Sequence, residues 1–436
     1  GNFMNEEMQR IKEGDTICIV GGGPGGVGCA ISLLREAKAM GKPVNVVIFE
    51  HKKFSEHRHY NQCIGVLSPP IEDILKDELD LVIPDDLIVG EIEGYCLHSD
   101  RLDLNLVGEE TGRSVSVRRS KFDAFMLAEA EKAGAVIVHN RVTGIEVHSD
   151  EVMVYSEGDN YKCAVVVGAF GLDDGSCRVF EQSTSYRQPD FLNTIITRLS
   201  PGPEFIQGME STIHAFLLSH PGLEFGAVTP KGDHLSINIA GRNVSSRVML
   251  EFLRSEPVQK FLPPHQRRGK PLNYFKGKFP IAPAKNLFGD RYVTIGDAAG
   301  LMRPFKGKGI NSAVNTGIFA ARSIMRHGVS QKAFTENFYK DCWELTQDLP
   351  YGRVVRVLTN LATNLKFMDQ MIAVAGTDKA FMKAMFNSVS GHLSYKRILC
   401  ETASLPLVIN FAARIFSHFI LRQKATLPTE KIEQAG

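Results

Sequence analysis

The apolar run Thr16-Ile17-Cys18-Ile19-Val20 gives way to Gly21-Gly22-Gly23-Pro24-Gly25-Gly26, and then to a stretch with helical apolar spacing. A second apolar run, Val44-Asn45-Val46-Val47-Ile48-Phe49, ends in Glu50. The pattern predicts strand, helix, strand over residues 15–50. Residues 52–68 are polar, aromatic and irregular and predict a loop. Residues 71–79 follow, and 88–106 alternate as an antiparallel strand region does. A short strand is expected at 114–119. Residues 121–133 set Phe122, Phe125, Met126 and Ala130 at helical spacing. Short strands at 135–139, 142–148, 151–156 and 163–168, with turns between them, predict a meander.

Alternation resumes at 193–198, 212–218, 224–229 and 235–240 and predicts a second sheet, expected to lie over the first domain as a lid. Residues 249–261 read as a helix, 263–271 as a loop and 292–295 as a strand, with a turn from Gly296 and a helix from about Ser312. From Phe334 onward the pattern is nearly all helical. The reading is α/β: a Rossmann-like nucleotide domain with an inserted antiparallel sheet and a helical C-terminal region. The nucleotide domain is expected at 14–88, 114–185 and 286–330, the inserted substrate domain at 89–113 and 186–285, and the helical region at 331–436.

A chain of 436 residues has room for two domains. Lys+Arg 50 against Asp+Glu 49 leaves no electrostatic bias towards nucleic acid, and none is expected as a partner. The eight cysteines are scattered with no C-x-x-C pair, which suits a reducing cytosol and a cytoplasmic protein. The first residues turn charged without the apolar centre of a signal peptide. No uncharged apolar run approaches the roughly 18 residues of a spanning helix.

The chemistry begins at the glycines. Gly21, Gly23 and Gly26 fill the three slots of G-x-G-x-x-G: a tight turn, close approach of backbone to a pyrophosphate, and close helix–strand packing. Gly25 lies in the same turn, and the following helix N-terminus offers unpaired N–H groups to phosphate. Glu50 at the end of the second strand can accept both hydroxyls of an adenosine ribose and would repel a 2′-phosphate, so FAD or NAD is favoured over NADP here. No second strand-flanked G-x-G-x-x-G exists, so no built-in NAD(P)H domain is expected.

A second strand, 292–295, runs into Gly296-Asp297, followed by Pro304 and by Gly307-Lys308-Gly309-Ile310-Asn311 at a helix start. This arrangement resembles the second FAD motif of flavoproteins built like para-hydroxybenzoate hydroxylase, and within them the geranylgeranyl reductase group. The resemblance covers residues 14–325. It implies that Asp297 binds the ribityl chain and that the backbone of Gly307 to Asn311 faces the flavin pyrimidine edge. A helix N-terminus there would stabilise anionic reduced flavin. Arg119-Ser120-Lys121-Phe122-Asp123 resembles the family's R-x-x-F-D segment, whose arginine reaches the FAD pyrophosphate; Arg118 is the adjacent alternative. Val142 matches the place where the family's backbone meets adenine.

The departures separate the branches. The hydroxylases carry an Asp-Gly motif after the third Rossmann strand, where this chain has Phe170. Halogenases need Trp-x-Trp, and the single tryptophan is Trp343. Pro230-Lys231-Gly232 retains the end of the reductases' Phe-Pro-Lys-Gly segment without its tryptophans. Tyr60-Asn61-Gln62-Cys63-Ile64-Gly65 resembles the reductases' Cys-x-Gly loop beside the isoalloxazine. Cys63 and His59 are the candidate proton donors, set against the plainer readings of a packed thiol and a surface loop. Lys306 and Lys308 bracket Gly307, either beside the flavin or in solvent.

His214, His220 and His234 show no metal-ligand pattern, and no metal is expected. Leu405, Val408, Ile409, Ala412, Ile415, Phe416 and Phe419 form an apolar helical face that can pack on the core, wall an apolar tunnel, or make peripheral contact with a membrane.

Three functions remain in view. The first is an FAD-dependent reductase of carbon–carbon double bonds on an isoprenoid or lipid-like, small apolar substrate. The second is an FAD monooxygenase of an aromatic or polyketide-like substrate, and the third an electron-transfer flavoprotein reducing a quinone. The external electron donor, NAD(P)H or a ferredoxin-like protein, is open.

Overall fold

The computed structural model describes residues 6–54, 65–67, 69–98, 100, 103–106, 114–216, 218, 220–223, 225–264, 273–280, 283–301 and 309–342. The expectations for Cys63, His59, Pro304, Lys306, Gly307, Lys308 and the C-terminal helical face lie outside those residues.

The N-terminal unit forms as expected: β1 (Thr16–Val20), α1 (Pro24–Met40) and β2 (Asn45–Phe49). Pro24 opens α1, where a missing N–H costs nothing, and Gly41 ends it in a left-handed conformation at φ 60°. The chain continues through β3 (Val66–Leu67), α2 (Ile71–Leu79), β4 (Ile88–Ile92), β5 (Gly94–His98), β6 (Asp103–Leu106), β7 (Ser114–Val117) and α3 (Arg119–Lys132). Next come β8 (Val136–Val138), β9 (Val142–Val147), β10 (Val152–Ser156), β11 (Asn160–Cys163), β12 (Val165–Gly168) and α4 (Asp174–Ser183). The second half carries β13 (Phe191–Leu199), α5 (Pro203–Gly208), β14 (Thr212–Phe216), β15 (Phe225–Lys231), β16 (His234–Gly241), α6 (Ser246–Arg254) and α7 (Glu256–Gln259). It closes with β17 (Phe275–Pro280), β18 (Phe288–Gly289), β19 (Tyr292–Thr294) and α8 (Gly309–His327).

The central sheet has the order β18-β19-β12-β1-β2-β8, parallel from β19 to β8 with β18 an antiparallel edge. Strands β1, β2 and β12 are almost wholly buried, as continuous Val/Ile runs require in a sheet covered on both faces. The chain proceeds from β1 to β2 on one side and to β12 on the other, so the topological switch point lies between β1 and β12. In such sheets the ligand crevice opens there, at the carboxyl ends of the strands.

The inserted sheet has seven strands, β17-β13-β16-β15-β14-β5-β6, antiparallel except where β14 runs parallel to β5. The strand regions from 94 to 106 and from 191 to 280 thus join in one layer. On one face Ile195, Phe216, Val228, Ile237 and Ile239 pack with Met249, Phe252 and Leu253 of α6. The alternate positions of β15 and β16 point the other way. A smaller sheet, β3-β7-β4, lies between the two large sheets in chain order.

Three boundaries differ from the sequence reading. The meander is β9-β10-β11, not a set ending in 163–168. The chain breaks at Ala164, whose N–H donates to the Thr16 carbonyl (2.8 Å), and β12 then enters the central sheet. The helix expected over 249–261 is two helices: Pro257 has no N–H for the Leu253 carbonyl and would clash with it in a continuous helix, and Ser255 turns extended (ψ 140°) between them. The helix after Gly296-Asp297 starts at Gly309 rather than about Ser312, so Gly309, Ile310 and Asn311 form its first turn.

Arg291 had no place in the sequence reading. Buried at φ +63°, it donates to the carbonyls of Ser149 (3.0 Å), Ala164 (2.8 Å) and Met8 (3.1 Å), and ties three loops to the parallel sheet. Among the described residues no helix is long and apolar enough to cross a membrane.

Candidate functional site

Four segments converge on the carboxyl edge of the central sheet: Gly21–Gly26 after β1, Glu50 after β2, Ala169-Phe170 after β12 and Gly296-Asp297 after β19. The glycines divide by what surrounds them. At Gly21, φ is +113° and a Cβ would stand 2.1 Å from the Ala169 carbonyl oxygen. At Gly26 a Cβ would meet the Gly21 carbonyl oxygen at 2.0 Å. Both are fixed by strand–helix packing, as their slots demand. Gly23 caps α1 with nothing within 4 Å of its missing Cβ. It faces open space at the helix N-terminus, the position where a phosphate meets unpaired N–H groups. Gly25 faces Ala313 of α8 at 3.2 Å, and a Cβ on Gly317 would stand 2.5 Å from the Gly25 carbonyl oxygen. Gly25 therefore also serves the close crossing of α1 and α8, in which Gly317 is a partner that the sequence reading missed.

Glu50 is 8% exposed. Its Oε1 accepts from Gly22 N–H (3.1 Å) and its Oε2 from Lys52 N–H (3.1 Å). Burial raises its pKa, opposed by those two N–H groups. Each carboxylate oxygen keeps a second lone pair, so the group can still accept two ribose hydroxyls. His139 Nδ1 lies 3.1 Å from the Glu50 carbonyl oxygen, and Val142 begins β9 as a buried residue.

Arg119 lies in the first turn of α3 and pairs with Asp123 at 2.8 Å, with Phe122 fully buried between them in sequence. Arg118 is exposed at the N-cap. The R-x-x-F-D segment is thus an internal ion pair on α3, and the Arg119 charge also acts on Asp297.

Asp297 is the most telling group. Its Oδ1 is buried and has no hydrogen-bond partner. Burial pushes its carboxyl up to about 6, with Arg119 pulling the other way. A lone carboxylate oxygen in such a place is costly unless a donor reaches it. Polyol hydroxyls are such donors. The Gly-Asp turn is rigidly held: Gly296 (φ +60°) donates to Thr316 Oγ1 (2.9 Å), and Thr316 donates to the Ser312 carbonyl (2.7 Å). Ile295 N–H donates to the Gly168 carbonyl (3.0 Å), and Tyr186 Oη donates to the Ala298 carbonyl (2.6 Å). Thr316 and Tyr186 were not among the expected residues, since nothing in their sequence neighbourhood marks them. Ile310 and Asn311 are buried in the first turn of α8.

These features fit FAD: an open glycine at a helix N-terminus, an acidic strand end with spare acceptors, and an unpartnered carboxylate at the second Gly-Asp turn. Phe170 stands where a hydroxylase would carry Asp. It is 8% exposed and packs on Phe180 (4.8 Å) and Tyr186 (5.9 Å), so its role is apolar.

The inserted sheet adds a polar face. Thr229, His234, Ser236 and Asn238 are buried. Thr229 Oγ1, His234 Nε2 and Asn238 Oδ1 have no protein partner. They alternate along β15 and β16 opposite Leu235, Ile237 and Ile239. At the end of β15, Lys231 is 3% exposed, and its Nζ lies 2.7 Å from where a Cβ on Gly65 would stand. The Pro230-Lys231-Gly232 hairpin therefore meets the residue two positions after Cys63, which brings together two segments singled out separately in the sequence.

The same sheet unites Cys96, His98 and His214, whose ligand atoms all lie within 4.8 Å of one another. Neither Cys96 nor His98 is among the histidines and motifs that the sequence singles out. The Cys-x-His spacing on one strand was the available signal.

No family model matches the chain. It is 23% identical over 390 residues to the digeranylgeranylglycerophospholipid reductase of Methanococcus vannielii, covering 82% of this chain and 90% of that one. It is 22% identical over 401 residues to the chloroplastic geranylgeranyl diphosphate reductase of Arabidopsis thaliana, covering 88% of this chain and 80% of that one. Among solved structures it is similar to a geranylgeranyl bacteriochlorophyll reductase-like protein of Thermoplasma acidophilum. The TM-score is 0.68 at 18% identity, over 91% of this chain and 100% of that one. A flavin-dependent brominase shares the fold with a TM-score of 0.62 at 16% identity, over 93% of this chain and 99% of that one. The expected resemblance to geranylgeranyl reductase-like flavoproteins is borne out, and so is the α/β fold with its inserted sheet.

Proposed function

We propose that this chain is an FAD-dependent oxidoreductase that saturates carbon–carbon double bonds of an isoprenoid or lipid-like substrate. The observation that carries the cofactor is the buried, unpartnered Asp297 oxygen at a Gly-Asp turn, opposite the glycine turn of β1. The substrate class rests on similarity to named isoprenoid reductases over more than four-fifths of the chain.

In this reading Gly21–Gly26 cradle the pyrophosphate with backbone N–H groups, and Glu50 accepts the ribose hydroxyls. Val142 borders the adenine. Asp297 accepts from the ribityl chain, and Arg119 supplies positive charge near the phosphates while holding Asp123. The first turn of α8, from Gly309 to Asn311, together with Gly307, Lys308 and Pro304, faces the pyrimidine edge, where a helix N-terminus favours negative charge. Reduced FAD, when bound, supplies a hydride to one alkene carbon while the other carbon takes a proton. Cys63 and His59 are the residues proposed to hold that proton. Gly65, two positions after Cys63, meets Lys231 at the end of β15. Thr229 Oγ1, His234 Nε2 and Asn238 Oδ1, which have no protein partner, offer hydrogen bonds to the polar end of an amphipathic substrate. Phe170, packed on Phe180 and Tyr186, argues against NADPH bound in the hydroxylase manner and leaves the donor open between NAD(P)H bound otherwise and a ferredoxin-like protein.

The test is anaerobic incubation of dithionite-reduced protein with a geranylgeranyl lipid in detergent, followed by mass spectrometry. The expected product gains a hydrogen pair per reduced bond. An unchanged alkene in that assay, with hydroxylation in a parallel aerobic incubation or reduction of an added quinone, would overturn the proposal.

A further inference from the structure

We propose that Cys96, His98 and His214 form a binding site for a divalent transition metal, zinc foremost, that staples β5 to β14 in the inserted sheet. Cys96 and His98 are two positions apart on β5 and share one face. In the parallel register His214 lies beside Cys96, and Phe216 beside His98. The three candidate ligands are 6%, 1% and 8% exposed.

The outer groups are those a metal site requires. His98 Nδ1 lies 2.5 Å from Asp103 Oδ1 across the β5–β6 hairpin, and its Nε2 lies 2.8 Å from His214 Nδ1. A carboxylate on the far ring nitrogen fixes the tautomer and turns the Nε2 lone pair inward, as it does for metal-bound histidine. Phe261 stacks on His214 at 4.0 Å and Phe216 on His98 at 4.8 Å, which encloses the cluster in aromatic rings. Asp103 has a half-exposed side chain and gives the cluster an edge on solvent.

One thiolate and the Asp103 carboxylate face the dication, and the Lys260 ammonium, which also acts on His98, is the one opposing charge the described residues show there. Thiolate with two imidazoles is a donor set suited to zinc, with a fourth place for water. Binding releases the Cys96 thiol proton. The proton on His214 Nδ1 moves to Nε2, and the metal takes its place between the rings. Tetrahedral zinc with bonds of about 2.0–2.1 Å holds two nitrogens roughly 3.3 Å apart, so the rings separate by about half an ångström. The link would close a long chain segment, since His98 and His214 are 116 positions apart.

The test uses the tag-free, flavin-loaded full chain, expressed with zinc and desalted. Elemental analysis is expected to give about one zinc per chain, and Cys96→Ser or His214→Gln to lower it at least tenfold with flavin absorbance unchanged. Should either variant fail to fold, cobalt(II) added to the unsubstituted chain decides the matter: ligand-field bands of tetrahedral strength, red of the flavin absorption, are expected. Zinc below a tenth of an equivalent after titration, zinc retained in the Cys96→Ser, His214→Gln double variant, or cobalt without those bands would overturn the site and leave a hydrogen-bonded Asp–His–His relay.

Discussion

Asp297 carries two opposed demands. In the folded chain its carboxyl is pushed from the ordinary 3.8 to about 6, so folding favours the protonated form. Without flavin, the Asp297 contribution to stability is fully present below about pH 4 and is lost as pH rises through about 6, a change of up to about 3 kcal/mol. In the proposed site, ribityl hydroxyls would donate to the ionised form, so flavin affinity should change the other way and weaken as pH drops below about 6. Asp297→Asn is therefore expected to stabilise the flavin-free protein at neutral pH and to lose flavin. Denaturant melts at low and neutral pH, beside flavin titrations, check both signs; retained flavin affinity in the variant would remove Asp297 from the ribityl chain. For Cys63, substitution by Ala should keep FAD and lower turnover by about 10²–10⁴ if the thiol gives the proton. Equal turnover would make it a packed thiol.

At the scale of elements, the glycine turn separates packing from binding. Gly23→Ala meets nothing within 4 Å, at a φ (−73°) any residue adopts. It should cost no more than about 1 kcal/mol, the usual difference between Gly and Ala at a helix N-cap, while weakening FAD, because in the proposed site the methyl would project towards the pyrophosphate. Gly26→Ala, with the Gly21 carbonyl oxygen 2.0 Å away, should displace α1 from β1 and destabilise by about 2 kcal/mol or more. Equilibrium unfolding of the two variants gives the contrast, and equal losses would refute it. Arg291→Leu strands three carbonyls and should cost about 2–4 kcal/mol without touching the flavin edge. Unfolding measured with and without FAD would reveal any direct effect on binding.

For the whole molecule, the proposed cofactor contacts come from widely separated stretches of the chain: residues 21–26 and 50, then 119 and 142, then 296–311. Ligand binding only to the folded state stabilises by mass action, about 2.7 kcal/mol at a hundred times Kd. FAD should raise the thermal midpoint accordingly, and Glu50→Arg should abolish the rise by filling the ribose position. A full rise in that variant would place the ribose elsewhere.

Local pattern determined much of this. The run 16–20, its glycines and Glu50 define a strand, a turn and a helix within one short segment, where backbone sterics and periodicity act without distant help. The Gly296-Asp297 turn was legible for the same reason. Tertiary structure decided what depends on partners far along the chain. The break at Ala164 follows from competition between two sheets for one strand, which periodicity cannot see. Gly317, Thr316 and Tyr186 matter only because α8 crosses α1 and because the 296–298 turn lands beside them. Cys96, His98 and His214 meet only because β5 joins β14 in parallel. Residue type and spacing fix local conformation, whereas desolvation and shared hydrogen bonds exist only once distant segments exclude water together.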